Sequence, residues 1–164
     1  MDKNSKIKAL FFDIDGTLVS FQAHRIPQST VEALEKAKQN GVKIYISTGR
    51  PIILITNLGQ IEHLIDGYIT TNGARCFVEN HTVCQCPILR SDVEKVIEAA
   101  DRDDYSVIVV GEKHLAIHHL TPVVEKIFVE GLGVDSLDFQ TNIDDLKDED
   151  ILQLTPFCSV EQES

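Results

Sequence analysis

The sequence contains no tryptophan and no run of about 20 apolar residues of the kind that a membrane-spanning helix needs. It also lacks a cluster of lysine and arginine, and its formal net charge is −11. Because such a chain repels polyanions, we expect neither nucleic acid nor an anionic membrane as a partner. The expected partner is a small molecule.

Paired cysteine motifs of the kind that bind metals are missing as well. Cys84 and Cys86 would share one face of a strand, but two thiolates alone do not complete a zinc site. The apolar stretch after the N-terminal lysines is interrupted by Asp13, too early for the core of a signal peptide. We therefore predict a cytoplasmic protein whose cysteines are reduced thiols.

The remaining composition is that of a globular protein, with 43% hydrophobic and 25% charged residues. A chain of 164 residues buries about 70% of its unfolded surface, which is enough for one domain or two small ones. Disordered and fibrous classes are thereby excluded.

Strand and helix patterns alternate in the N-terminal half. This order, with short connections, predicts an α/β fold with a parallel sheet, whose ligand crevice lies at the carboxyl ends of the strands. We expect Ser29 and Glu32 to cap the first helix, Gly41 to end it, and Pro51 to begin the second. The predicted strands are 7–12, 42–46 and 68–71, and the predicted helices are 30–40 and 51–58.

The pattern changes after a hairpin-like passage at 79–81, and a second set of elements follows. We predict two domains, residues 1–83 as the N-terminal part of a catalytic core and residues 84–164 as an α+β cap that is incomplete at its C-terminus. The second set comprises a helix capped by Ser91 and Glu94, strands 106–110 and 114–119, a helix from 121 to about 131, and a strand at 151–154.

Two carboxylates and a glycine follow the first strand directly, in the segment 13–17, Asp-Ile-Asp-Gly-Thr. Asp13, where the buried strand ends, can present its carboxylate to a phosphorus atom as a nucleophile. Asp15 can protonate the leaving alkoxide and later take a proton from water, and Gly16 allows the turn. A phosphate dianion approaching a carboxylate requires a hard cation, and oxygen ligands indicate Mg²⁺ held by Asp13.

This segment resembles the first motif of the haloacid dehalogenase superfamily of phosphatases, Asp-x-Asp-Gly-Thr. Residues 47–50, Ser-Thr-Gly-Arg, resemble the second motif, and residues 70–74 resemble the segment that closes the third strand in the Cof-like sugar-phosphatase branch. The resemblance implies a Rossmann-like core, an aspartyl-phosphate intermediate, small phosphorylated metabolites as substrates with sugar phosphates first, and a phosphate site that includes Gly16 and Thr17. It also implies that the backbone carbonyl of Asp15 is a Mg²⁺ ligand.

Four further residues are candidates for phosphate or substrate binding. Thr48 and Gly49 are expected at the N-terminus of the second helix, where they can donate hydrogen bonds to an anion. Arg50 is either a further charge near the leaving group or the cap, or an ordinary exposed arginine. Asn72 is either close to the substrate or, with Gly73, a hairpin turn.

Several other patterns have plain structural explanations. His114 and His118 would share a strand face and could bind a metal, but no third ligand is identifiable, so a polar solvent face is the favoured interpretation. The segment 131–133, Gly-Leu-Gly, is interpreted as the end of a helix. The acidic run 144–150 is interpreted as a solvated loop.

The resemblance also implies elements that we do not find: a lysine that neutralises the phosphoryl group and a Gly-Asp-x-x-Asn-Asp motif that completes the Mg²⁺ site. Ser159 and Gln162 form a capping pattern for a helix that Ser164 ends within one turn. We therefore expect a truncated N-terminal portion whose first strand, apolar on both faces, leaves an open edge. Three hypotheses stand: a phosphatase, a non-catalytic fragment that binds phosphate or Mg²⁺, and half of a split enzyme whose edge recruits a complementing chain or a second copy.

Overall fold

Three apolar segments of the N-terminal half form parallel strands that lie side by side. The computed structural model describes residues 7–20, 25–79, 81–127 and 140–158. β1, β2 and β3 are parallel, and an antiparallel hairpin, β4 and β5, extends the sheet in the order β1-β2-β3-β4-β5. The predicted parallel α/β arrangement is confirmed. The strands are β1 (Ala9–Phe12), β2 (Lys43–Ser47), β3 (Gly67–Thr70), β4 (Arg75–Val78) and β5 (His81–Gln85).

Helix α1 (Gln28–Gln39) connects β1 to β2 and buries Val31 and Leu34 in the core of this sheet. Its predicted capping box at Ser29 is wrong, because the helix begins at Gln28, two residues earlier than predicted. The carbonyl of Pro27 accepts the first hydrogen bonds, and no side chain caps the helix. Its predicted end is confirmed, since Gly41 follows the last turn with a φ of +78° that glycine adopts at little cost.

The predicted second helix at 51–58 does not form. In its place the chain makes two short 3₁₀ turns, Ile52–Leu54 and Glu62–Leu64. The reason lies in the segment 52–56, Ile-Ile-Leu-Ile-Thr, where four of five side chains are β-branched and lose χ1 freedom in a helix. Leu54, Leu58, Ile61 and Leu64 are nevertheless buried. These apolar side chains, and not a helix, cover this part of the sheet.

A second set of elements forms a mixed, mostly antiparallel sheet with helices, which agrees with the predicted α+β layer. Its strand order is β8-β7-β6-β9, with β6 buried along its whole length. The predicted side-chain cap at Ser91 is wrong, because α2 begins at Arg90 and the carbonyl of Leu89 accepts its first hydrogen bonds. The elements are α2 (Arg90–Asp103), β6 (Ser106–Gly111), β7 (Leu115–His118), α3 (Pro122–Lys126), β8 (Gln140–Thr141) and β9 (Ile151–Phe157).

The structure divides into two units, residues 1–85 and 86–164. Each has its own apolar core, one around Ile14, Ile44 and Ile46 and one around Val107, Val109 and Leu146. No helix in the described ranges combines the length and the apolar character that a bilayer crossing requires. The predicted helix stop at 131–133 and the capping pattern at 159–162 lie outside the described residues.

Part of the acidic run is more ordered than a solvated loop. Asn142 and Asp145 form a capping box at the start of a 3₁₀ turn, Ile143–Leu146, and Leu146 is buried in the core of the second unit. Glu149 accepts hydrogen bonds from the backbone N–H groups of Lys113 and His114. Burial opposes ionisation of Glu149, but these bonds and the His114 side chain hold its pKa below its usual value.

β1 lies at the end of its sheet and, within the described residues, pairs with β2 alone. Phe11 of β1 is 58% exposed and stacks on Tyr45 at 4.9 Å between ring centroids. A short parallel strand with an exposed aromatic side chain is unusual at a sheet edge, because parallel strands are normally covered on both sides.

Asp66 ties α1 to β2 in the N-terminal unit. Its carboxylate accepts hydrogen bonds from Lys38, from Lys43 at 2.8 Å and from the backbone N–H of Ile44 at 2.9 Å. Burial of the carboxylate opposes its ionisation, but these donors prevail and lower the pKa of Asp66 to about 2. A lowered pKa in the folded state stabilises the fold above the unfolded pKa near 3.8, and this stabilisation is lost as the pH falls towards 2.

We expect Asp66→Asn to lower the free energy of unfolding by about 1–2 kcal/mol near neutral pH. This value is reduced from the full linkage figure because Lys43 is mostly exposed to water. The difference between variant and wild type should shrink between about pH 4 and pH 2. Urea unfolding followed by circular dichroism at several pH values measures it, with Asp92→Asn, which removes an exposed ion pair on α2, as the control. A difference that does not change with pH would contradict the prediction.

Candidate active site

In the loop after β1, buried and more exposed side chains alternate along the chain. Ile14 is fully buried while Asp13 on one side is exposed and Asp15 on the other is half-buried, so the buried side chain anchors the two carboxylates. The backbone N–H of Val19 donates to the carbonyl of Ile14 at 2.9 Å, and that of Gly16 donates to the carbonyl of Val19 at 2.9 Å. Gly16 has a φ of +77°, which accounts for a glycine at this turn.

A concave pocket of about 310 Å³ opens at the carboxyl ends of β1, β2 and β3. It brings together four residues that the sequence nominated, Asp13, Thr48, Gly49 and Asn72. Parallel strands end at the same edge of a sheet, so loops that are distant in sequence meet there. The other lining residues, Ser47, Ile69 and Gly73, were not nominated, although Ser47 and Gly73 lie next to nominated residues.

The predicted helix N-terminus at Thr48 and Gly49 is wrong, since no α-helix follows them. Extended Pro51 precedes a single 3₁₀ turn, and the backbone N–H of Thr48 donates to the carbonyl of Ile69 at 2.9 Å. The Thr48 hydroxyl accepts a hydrogen bond from the backbone N–H of Arg50 at 3.2 Å and keeps its own proton to donate. A helix dipole therefore adds nothing at this pocket, and the donors here are those of a tight loop.

The loop between β3 and β4 has a strained backbone. Thr71 and Asn72 have φ values of +50° and +53°, a region that non-glycine residues rarely adopt. Such strain costs about 1–3 kcal/mol per residue and is found mainly at functional sites. A Cβ added at Gly49 would lie 2.9 Å from the Asn72 side-chain oxygen, so the absence of a side chain at 49 permits this approach. The segment is both a hairpin connection and part of the pocket wall.

Arg50 and Asp15 form a bidentate ion pair beside the pocket. Nε of Arg50 donates to Oδ2 of Asp15 at 2.8 Å, and Nη2 donates to Oδ1 at 2.7 Å. The third guanidinium nitrogen donates to the carbonyl of Leu54 at 3.0 Å. The Arg50 side chain is 9% exposed, so the expectation of an ordinary exposed arginine is wrong. Its charge is directed at Asp15.

The remaining nominated residues lie outside this pocket wall. Gly16 and Thr17 are exposed and shape the loop, and neither they nor Asp15 and Arg50 line the pocket. Asp13 is the single carboxylate among the lining residues. Mg²⁺ is commonly held by one or two carboxylates together with waters and substrate phosphate oxygens, and the Asp13 side chain suits that mode.

Comparison with known proteins identifies the family of the chain. A family model described as haloacid dehalogenase-like hydrolase matches residues 10–164. The chain belongs to this family. The resemblance drawn from the two sequence motifs is thereby confirmed.

Individual relatives agree with this assignment. The chain is 42% identical to the sugar phosphatase BT4131 of subclass IIB, with a TM-score of 0.83 over 95% of this chain and 60% of that one. It is 30% identical to BT1666 from Bacteroides thetaiotaomicron, with a TM-score of 0.78 over 99% and 60% of the two chains. Among curated proteins it is 28% identical to YkrA of Bacillus subtilis strain 168, over 95% of this chain and 59% of YkrA. The chain therefore spans about three fifths of the length of these relatives.

We expect Arg50→Ala to lower the free energy of unfolding by about 2–3 kcal/mol, because it leaves Asp15 and the Leu54 carbonyl without their charged donor. Arg50→Lys should recover part of this loss, since an ammonium keeps the charge but cannot form the bidentate pair. Urea unfolding followed by circular dichroism measures both variants. Arg102→Ala, which removes an exposed arginine paired with Asp103, is the matched control. Equal effects of Arg50→Ala and Arg102→Ala would contradict the prediction.

Proposed function

We propose that this chain carries the nucleophile and phosphate pocket of a Mg²⁺-dependent phosphatase that hydrolyses small phosphorylated metabolites. The observation that carries the proposal is the position of Asp13, exposed at the end of β1 in a pocket shared with Thr48, Gly49 and Asn72. Hydroxyl, amide and backbone donors around a carboxylate suit a phosphoryl group better than a hydride or acyl group.

The reaction has two displacements at phosphorus. In the first, an oxygen of Asp13 bonds to phosphorus, the ester P–O bond breaks, and Asp15 gives its proton to the leaving alkoxide. In the second, water attacks the aspartyl phosphate, Asp15 takes the proton from that water, and the bond between Asp13 and phosphorus breaks. Inorganic phosphate and the free Asp13 carboxylate result, and Asp15 is again protonated for the next cycle.

Arg50 is a positioning residue in this scheme. Both oxygens of Asp15 accept hydrogen bonds from Arg50 in the structure. Asp15 therefore has to exchange at least one of these bonds to reach a leaving group. The ion pair holds the ionised form of Asp15 in a defined place, which limits the conformations that this residue has to search before it takes up a proton and acts as the acid.

Mg²⁺ would be held by the Asp13 carboxylate and, from the family resemblance, by the backbone carbonyl of Asp15. When bound, it would reduce the repulsion between the phosphate dianion and the carboxylate nucleophile. Thr48 and Asn72 would orient the phosphoryl oxygens through their side-chain hydroxyl and amide.

Sugar phosphates are the proposed substrate class. The support is the 42% identity and the TM-score of 0.83 to BT4131, which is itself described as a sugar phosphatase. The net charge of −11 favours a small solute over a polyanion. We also propose a cytoplasmic location, where phosphorylated metabolites are found and where cysteine thiols stay reduced.

We expect phosphate release from a panel of sugar phosphates to require Mg²⁺ and to fall at least about 10³-fold in Asp13→Asn, because an amide cannot form the phosphoryl intermediate. Asp15→Asn should lower kcat by about 10²-fold or more with the same circular dichroism spectrum. Colorimetric phosphate detection with and without a chelator measures both.

Asp92→Asn, which changes an exposed carboxylate on α2, serves as the control for a general effect of charge. Turnover by Asp13→Asn at the wild-type rate would refute Asp13 as the nucleophile. Turnover at an unchanged rate after removal of divalent cations would refute the Mg²⁺ requirement. The roles of Asp13 and Asp15 would then still be decided by the activities of their variants.

A second candidate function is that of one half of a phosphatase assembled from two polypeptides. The edge position of β1, which pairs with β2 alone among the described residues, favours it. The complementing chain would add further parallel strands beside β1 and deliver the lysine and the Gly-Asp-x-x-Asn-Asp motif that the family resemblance calls for. Exposed Phe11 would then be covered. The same edge could instead pair two copies of this chain, which is the competing outcome.

Sedimentation velocity of the purified chain separates these two outcomes, since pairing of copies gives concentration-dependent association. For a complementing chain we expect co-expression with a polypeptide carrying this lysine and the Gly-Asp-x-x-Asn-Asp motif to yield a stable complex. Phe11→Lys should weaken that complex about tenfold or more, because it places a charge at the buried junction. Val83→Lys alters an equally exposed apolar residue on β5, at the opposite end of the sheet, and should have no effect. Equal effects of the two variants would contradict the assignment of the interface to β1.

A further inference from the structure

Two adjacent histidines and an aspartate come together in the second unit, on elements that supply none of the phosphate pocket. His118 ends β7, His119 follows it, and Asp101 lies in the last turn of α2. The Nε2 atom of His118 lies 2.8 Å from Oδ1 of Asp101, and the Nε2 atom of His119 lies 3.1 Å from the same oxygen. One ligand atom from each residue lies within 4.8 Å of the others.

A backbone irregularity produces this convergence. Consecutive residues of a strand point to opposite faces, so two adjacent histidines should diverge. His119 instead has a φ of +53°, and its ring stacks on that of His118 at 4.1 Å between centroids. A left-handed non-glycine residue costs about 1–3 kcal/mol and persists only where its surroundings enforce it. Here the buried Ser106 hydroxyl donates to the His119 carbonyl and helps to hold the turn.

The cluster is accessible and has an incomplete hydrogen-bond arrangement. The side chains of His118, His119 and Asp101 are 17%, 34% and 56% exposed, so an ion can enter from solvent. Nδ1 of His119 is buried and has no hydrogen-bond partner among the described residues. A carboxylate oxygen of Asp104 lies 3.8 Å from it, and Asp104 also has a positive φ, at the end of α2. Histidines that bind metals commonly direct their second ring nitrogen to such a carboxylate.

We propose that Asp101, His118 and His119 form a binding site for a divalent transition metal, with Zn²⁺ as the best fit. Two imidazoles and one carboxylate are a donor set used by zinc sites with three protein ligands, which leave a fourth position for water or another ligand. Ligand atoms of a tetrahedral zinc ion are separated by about 3.3 Å, and the two distances to Asp101 are close to that value. Mg²⁺ prefers oxygen ligands in octahedral geometry, so this site would not compete with Asp13 for its cation.

The sequence pattern pointed to a different pair of histidines. His114 and His118 were expected on one strand face, but His114 precedes β7 and its side chain pairs with Glu149. The ligand partner of His118 is its neighbour His119, and Asp101 is the third ligand that the sequence did not identify. The plain alternative is that the three residues only tie α2 to β7. That structural role would not give selective metal binding.

We expect the full chain to bind one Zn²⁺ at this site in the presence of excess Mg²⁺, measured at about pH 7.5 by competition with a chromophoric chelator. Asp101→Asn and His118→Gln should each weaken the affinity about 100-fold, since each removes a ligand. The circular dichroism spectra of both variants should match that of the wild type.

Two controls make the result specific. His81→Asn removes an exposed histidine of β5 and should leave the Zn²⁺ affinity unchanged. The double variant Cys84→Ser and Cys86→Ser tests two exposed cysteines, whose thiolates are a common type of zinc ligand, and should also leave the affinity unchanged. Affinity that is lost in the cysteine variant and kept in Asp101→Asn and His118→Gln would overturn the proposal. Failure of the wild type to bind Zn²⁺ in excess Mg²⁺ would overturn it as well.

Discussion

The parallel alignment of β1, β2 and β3 is the constraint on which the candidate active site depends. Because the three strands run in one direction, their carboxyl ends lie at the same edge of the sheet, and the loops that follow them converge. Asp13, Thr48 and Asn72 are separated by up to 59 positions in the chain, yet they line one pocket. The buried side chains of Ile14, Ile44 and Ile46 fix the strands that deliver them.

The ion pair between Arg50 and Asp15 connects the first two of these loops. A buried guanidinium needs a charged partner, and Asp15 is that partner. Both carboxylate oxygens of Asp15 accept hydrogen bonds from Arg50. The same residue is therefore committed to a structural bond and proposed as a mobile acid and base. Backbone strain at Thr71 and Asn72 and the close approach of Asn72 to Gly49 indicate that the third loop is also held in place by its surroundings.

The second unit differs from the first in the direction of its strands and in the role of its polar contacts. Its sheet is mainly antiparallel, and several of its polar contacts secure turns and helix ends: Glu149 holds the turn after β6, and Arg90 binds backbone carbonyls near Leu146. The cluster of Asp101, His118 and His119 differs from these contacts, because it brings three side chains of metal-ligating types together at a residue with positive φ. If the proposed phosphate pocket binds Mg²⁺ and this cluster binds Zn²⁺, the different ligand types would direct each ion to its own site.

Local sequence determined the strand pattern, the turn at Gly16, the end of α1 at Gly41 and the family. Each of these features depends on residues that are close together in the chain. Their spacing sets the hydrophobic period of the strands, the geometry of the turns and the match to the family motifs. The tertiary structure decided what depends on contacts across the fold. β-Branched residues after Pro51 prevented a helix that Pro51 alone would favour, and Arg50 found its partner 35 positions away at Asp15. The left-handed backbone at His119, which brings two adjacent histidines to one carboxylate, likewise arises from packing that no local pattern records.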